Sequence, residues 1–298
     1  MSQDWNRQTE RGTPFMLHLI RWIATHLGRP AARLVLYPIT LYFLLFAPAA
    51  RRASRDFLQR TLAQPVHWWH VAKHIHHFSA TILDRVFLLT GKYSCLDIRT
   101  HKLELLQQHL DAGAGCILLG SHIGSFEVLR ALGVCHHRIP VKILMQEAHN
   151  EQITRILHAL NPEISDTVIQ FGHADALLQV HEYLQQGYII GMLGDRVVDS
   201  RKTTHCEVLE SEATLPSGPL LVAAILKAPV LLFFGIYQGE NRYDIFFEEF
   251  SDQVTVDRRQ RERDLQSWVQ KYADRLTYQA RTHPYNWFNF YDFWENHS

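Results

Sequence analysis

The chain has 298 residues, 47% of them hydrophobic and 20% charged, with 30 Lys+Arg balanced by 30 Asp+Glu. A sizeable core is within reach, so the composition excludes a disordered chain and a polytopic membrane protein, and neutrality argues against a phosphate-seeking nucleic-acid binder. The neutrality is a sum of unlike parts: residues 1–60 hold nine Arg against three acids, or +6, which leaves −6 for the remainder.

In chain order, the first marked segment is apolar, residues 30–50, with Arg33 and Pro38 inside it, Arg21 and Arg29 before it and Arg51, Arg52, Arg55 and Arg60 after it. It is short for a span, which needs about 20 apolar residues. It is not a cleavable signal peptide, since the charged stretch with Asp4, Arg7, Glu10 and Arg11 precedes it. The flanking arginines, with Trp22, Tyr37 and Tyr42 as interfacial aromatics, favour a helix embedded in, or shallowly spanning, an anionic membrane face over a buried core helix. Residues 66–89 are rich in histidine and aromatics, and His67, His70 and His74 share one helical face. No carboxylate lies among them, so they read as helix histidines and no metal site is expected.

From residue 103 the pattern alternates. Helices are expected over 103–110, 126–132, 150–160, 174–186 and 219–226, strands over 116–119, 141–145, 188–193 and 230–236. A further alternating strand at 242–250 would lie at a sheet edge, and a last amphipathic helix contains Leu265, Trp268, Val269, Tyr272 and Leu276. Continuous apolar strands separated by helices imply an α/β fold, a largely parallel central sheet flanked by helices. The expected division is an N-terminal, membrane-associated helical region over 1–90 and an α/β domain over 91–298. Four scattered cysteines without a C-x-x-C pair suit a reducing compartment.

The sharpest local feature is Gly120-Ser121-His122-Ile123-Gly124-Ser125-Phe126-Glu127, set between an apolar strand and a helix. A loop at the carboxyl end of a parallel strand is where α/β sheets place their sites. His122 there can act as a general base, and Glu127 can fold back to orient it. Spacing alone is weak: about two H-x4-D/E matches are expected by chance, and His158 with Glu163 and His205 with Glu210 also match. The first of these straddles a helix end and the second lies in a polar loop. Only His122 has the strand, the glycine turn and the helix around it.

These residues resemble the H-x4-D/E motif of the lysophospholipid acyltransferase superfamily, in its bacterial lipid A biosynthesis branch. Similarity extends over roughly residues 30 to 290. It includes Tyr37-Pro38 through Phe46, Arg51-Arg52-Ala53-Ser54-Arg55 with Phe57-Leu58, Ile82-Leu83-Asp84-Arg85, Met192-Leu193-Gly194-Asp195-Arg196, and Leu215-Pro216-Ser217-Gly218-Pro219. The resemblance implies transfer of a fatty or polyene acyl chain from an acyl carrier protein or coenzyme A thioester to a hydroxyl or amine of a lipid or glycolipid, without a resident cofactor, on the cytoplasmic face of a bacterial inner membrane. It makes His122 the base and Glu127 its orienting acid. Backbone amides around Gly124 and Gly218 are candidates for the oxyanion. Glu147, Asp195, Arg196, Ser125 and Ser217 are candidate substrate contacts, each with a structural alternative: solvated acid, internal ion pair, or helix N-cap. Arg196 stands where the family has Gln, and the tail lacks its Trp-x-His-Arg-Arg ending, so the acceptor stays open. Two other readings remain: an α/β thioesterase or esterase with Ser121 or Ser125 as nucleophile, and a non-catalytic lipid-binding protein.

Overall fold

The computed structural model describes residues 28–129, 139–145, 167–170, 175–197 and 202–294. Three helices come first: α1 (Gly28–Phe46), α2 (Pro48–Thr61) and α3 (Trp68–Leu89). They are followed by β1 (Asp97–His101), α4 (Leu103–Asp111), β2 (Cys116–Gly120), β3 (Val141–Met145), β4 (Val168–Gln170), α5 (Ala176–Gln185) and β5 (Ile189–Leu193). Then come β6 (Thr203–Val208), β7 (Ser211–Pro216), α6 (Gly218–Leu226), β8 (Val230–Gly239), β9 (Arg242–Ser251) and α7 (Arg261–Thr282).

The main sheet has seven strands in the order β1-β9-β8-β2-β5-β3-β4. Strands β8, β2, β5, β3 and β4 are mutually parallel, while β9 returns antiparallel to β8 and β1 runs parallel to β9. β2 and its neighbours are buried almost throughout, as runs covered on both faces must be. One buried cluster joins Ile117, Leu119, Ile190, Leu232 and Leu276 to Phe57, Val71 and Ile75 of the N-terminal helices; a second, on the other face, joins Leu118, Ile189 and Phe233 to Leu36, Ala80 and Leu83. The mixed α/β sheet flanked by helices is thus as the patterning implies.

Two expectations differ, and two helices lie wholly or partly outside the described residues. The strand at 242–250 is internal, because β1 covers it; Asp97-Ile98-Arg99-Thr100-His101 has no apolar run to announce a strand, as suits an edge where half of each residue faces solvent. The segment with His205 and Glu210 is not a loop but the β6–β7 hairpin, closed by Leu209 and Glu210, both at positive φ as a tight hairpin turn requires. The expected helix at 150–160 lies outside the described residues, and only 126–129 of the one at 126–132 are described.

Among the described residues no single helix is long and apolar enough to cross a membrane; α1 and α2 pass that test only together, and are bent by 95°. Arg51 closes the bend by donating to the carbonyls of Leu44 and Leu45, orphan acceptors at the end of α1. Arg29 anchors the other end of α1, donating to both oxygens of Asp84 in α3 at 2.7 and 2.8 Å, while the Tyr243 hydroxyl of β9 donates to the same carboxylate at 2.9 Å. All three are buried, so the charges are paired and bonded as burial demands.

Candidate active site

β2 and β5 pair in parallel with Gly120 opposite Leu193. Two residues beyond each strand, therefore, His122 and Asp195 leave the sheet side by side. Beyond the strands, the Gly194 amide donates to the Gly120 carbonyl at 3.0 Å, and the Tyr272 hydroxyl of α7 donates to that carbonyl at 2.8 Å. His122 Nδ1 donates to Asp195 Oδ1 at 2.7 Å, and the His122 peptide N–H donates to Oδ2 at 2.9 Å. Nδ1 carrying the proton leaves Nε2 with its lone pair, and Nε2 has no partner among the described residues. The His122 side chain is 29% exposed, whereas Asp195 is fully buried.

The electrostatics suit a base. Burial, together with the positive charge of Arg196, lowers the His122 pKa against the opposing pull of Asp195, so the imidazole is neutral near pH 7. Burial would raise the Asp195 pKa, but the charge and hydrogen bonds of His122 and the charge of Arg196 outweigh it and bring it down to about 2. A carboxylate accepting several N–H bonds stays ionised.

The loop is held by close backbone approach. Gly124 has φ +76°, and a Cβ there would lie 2.1 Å from the Gly235 carbonyl oxygen of β8, so only glycine fits. Its amide donates to Asn286 O at 2.7 Å and that of Ser125 to Gly235 O at 2.7 Å. The Ile123 amide donates to Ser121 Oγ at 3.2 Å. These N–H groups are consumed by the fold, so the expected oxyanion role for the Gly124 amide does not fit this arrangement. Gly218 opens α6 at a position where a Cβ would meet nothing within 4 Å, which leaves open space beside the first turn of the helix.

The tail passes along the same loop. Trp287 bridges Ile123, Phe288 N–H donates to His122 O at 3.1 Å, and the Trp287 indole N–H donates to Asp195 Oδ2 at 3.0 Å. Arg196 donates to Phe288 O at 3.0 Å and to Asn289 Oδ1 at 3.3 Å, so part of its guanidinium serves the tail. Glu127 sits elsewhere: Oε1 lies 3.7 Å from Arg85 Nε in α3. Glu127 is the expected partner of His122; in the structure the carboxylate at His122 Nδ1 is that of Asp195, which the parallel register of β2 and β5 delivers there. Ser121 and Ser125 are buried, and Ser217 stands at the N-cap position of α6 without a side-chain capping hydrogen bond. Glu147 lies outside the described residues.

No group of three or more His, Cys, Asp or Glu able to share a metal occurs among the described residues. His70 Nδ1 accepts the His67 amide, and both nitrogens of His74 are engaged, by Ser54 Oγ at 2.8 Å and Trp287 O at 2.9 Å. His74 and Trp287 join the site through contacts distant in the chain, and nothing in their local spacing marks them as site residues.

The model of the bacterial lipid A biosynthesis acyltransferase family matches residues 11–296. The chain belongs to that family. No curated protein matches it significantly. Membership of an acyltransferase family supports acyl transfer to a lipid acceptor as the general activity class.

Proposed function

We propose that the acyltransferase moves a fatty or polyene acyl chain from an acyl carrier protein or coenzyme A thioester to a hydroxyl or amine of a membrane lipid or glycolipid, with His122 as general base. The observation that carries this reading is the pairing of His122 Nδ1 with a buried, ionised Asp195 while Nε2 has no partner among the described residues. Nε2 takes the acceptor proton as its oxygen or nitrogen attacks the thioester carbonyl; the imidazolium that forms is stabilised by Asp195 and then protonates the departing thiolate. The charge on the tetrahedral carbonyl oxygen needs donors, for which the Gly218 N–H and the Arg85 guanidinium are the candidates. Ser121 and Ser125 are buried and neither is hydrogen-bonded to His122, which weakens the acyl-serine route of an esterase.

The outer face of α1 supports action at a lipid surface. Leu34, Tyr37, Leu41 and Leu45 form an exposed apolar stripe, and Phe46, Trp68 and Trp69 extend it across the bend. A surface groove of about 360 Å³ there is lined by Leu44, Pro48, Arg51, Arg52, Arg55, Trp68 and Val71. Cations beside exposed aromatics suit a protein surface that docks on an anionic membrane, in line with an inner-membrane, cytoplasmic-side location.

The test is a single-turnover assay with acyl thioester and bacterial lipid extract, reading thiol release and acylated lipid together. His122→Ala should lose both by about 10³-fold or more while keeping the wild-type melting temperature within a few degrees. Full turnover by the folded variant would end the reading, and thiol release without acylated lipid would mark a thioesterase.

A further inference from the structure

The His122–Asp195 pair is supported from a direction that the motif does not contain. Asp195 Oδ2 accepts two N–H groups, the His122 peptide and the Trp287 indole, at 2.9 and 3.0 Å. Trp287 is 1% exposed and wedged by edge-on rings, Phe57 of α2 at 5.5 Å and Phe293 at 4.9 Å between centroids. Its carbonyl accepts His74 Nε2–H, and His74 Nδ1 accepts Ser54 Oγ–H from α2. With both ring nitrogens satisfied and the side chain fully buried, His74 is neutral and fixed in one tautomer. A continuous hydrogen-bonded line therefore runs from α2 through α3 and the tail to the carboxylate that orients the base.

We propose that Trp287 is a positioning residue for acyl transfer: its indole N–H fixes Asp195 Oδ2 so that Oδ1 holds His122 Nδ1, while His74 and Ser54 fix Trp287 from the N-terminal helices. The inference rests on His122 being the base. A carboxylate held by only one oxygen can pivot about its Cβ–Cγ bond; the second oxygen, tied by the indole and by the peptide N–H, removes that freedom, and with it the misaligned orientations of the imidazole. The indole also draws electron density from the carboxylate. Its removal makes Asp195 a stronger acceptor and so raises the affinity of His122 for a proton. The other charges bearing on His122 are Arg196 after β5 and Arg85 of α3, both cationic, and a substitution at Trp287 removes neither charge.

The full chain is assayed in detergent with an acyl thioester and lipid extract, as wild type, Trp287→Phe, Asp195→Asn, the double variant and His122→Ala. A second form carries 3-benzothienylalanine at position 287, which keeps the indole shape and replaces only the N–H by sulfur, so it stays informative if the phenylalanine variant does not fold. Loss of the N–H should lower kcat about tenfold with KM for the thioester within about twofold, and move the acid limb of kcat/KM to higher pH. In the Asp195→Asn background the same change should cost less than about twofold, because a group acting through Asp195 has nothing left to act on. Independent, multiplying losses would overturn the proposal, as would an isostere with wild-type kcat and an unmoved acid limb. Turnover retained by His122→Ala would instead sink the function itself, whatever the variants at 287 do.

Discussion

Asp195→Asn separates the pairing seen in the structure from the one that the motif spacing suggests. The carboxylate accepts three N–H groups: the His122 ring, the His122 peptide and the Trp287 indole. An asparagine amide has one oxygen and one NH2. With the oxygen toward His122 Nδ1, the NH2 faces two donors and leaves both orphaned, at about 1–3 kcal/mol each. Flipped, the oxygen serves the peptide and the indole, and the NH2 donates to Nδ1. The flipped form satisfies every group but forces the proton onto Nε2, the atom that must act as base. The variant should therefore fold, with kcat down by about 10⁴-fold, the size of a tautomer swap at a His–Asp pair. Glu127→Gln leaves Nδ1 on Asp195 and weakens a contact of 3.7 Å to a part-exposed Arg85, so its loss should stay within about tenfold. Single-turnover thiol release with product lipid measured by mass spectrometry reads both. A Glu127→Gln loss equal to that of Asp195→Asn, or an Asp195→Asn enzyme with more than a tenth of wild-type kcat, would refute the reasoning.

Other outcomes follow from the same geometry. His74 is fully buried and burial lowers its pKa to about 4, against the pull of the Trp287 carbonyl. Because the folded value lies below the unfolded one, stability is intact above pH 6.5 and falls as the pH drops from 6.5 toward 4, by about 3 kcal/mol in all. Urea denaturation of His74→Gln should show a shallower acid slope than wild type, and equal slopes would contradict the burial argument. Gly124→Ala should lose about 3 kcal/mol or more and all activity, since its Cβ would meet the Gly235 carbonyl, whereas Gly91→Ala, also at positive φ but with nothing within 4 Å, should cost only about 1 kcal/mol by thermal melting. Arg52→Gln with Arg55→Gln should weaken partition into anionic vesicles about thirtyfold at low salt, at about 1 kcal/mol per cation, and leave binding to neutral vesicles unchanged; unchanged sedimentation with anionic vesicles would remove these arginines from the membrane face.

The amino-acid order by itself determined the α/β class, the apolar strands around β2 and β5, and His122 at the end of one of them. Those follow from local pattern, since a strand buried on both faces must be apolar throughout and a histidine after it must emerge at the carboxyl edge. Strand order is not a local property. Nothing in Arg242 to Ser251 says that the polar β1 will cover it, and nothing in residues 203–216 outweighs their polarity except the hairpin pairing itself. The partner of His122 is likewise a matter of register. Glu127 is five residues away and Asp195 is 73, but only the pairing of Gly120 with Leu193 brings a carboxylate to Nδ1. Trp287 and His74, 92 and 213 residues from their partners in the chain, read as ordinary core until the tail is laid against the loop. Chemistry-bearing residue types are written in the sequence; which of them meet is decided by the sheet that aligns their strands and by the tail and helices that close over it.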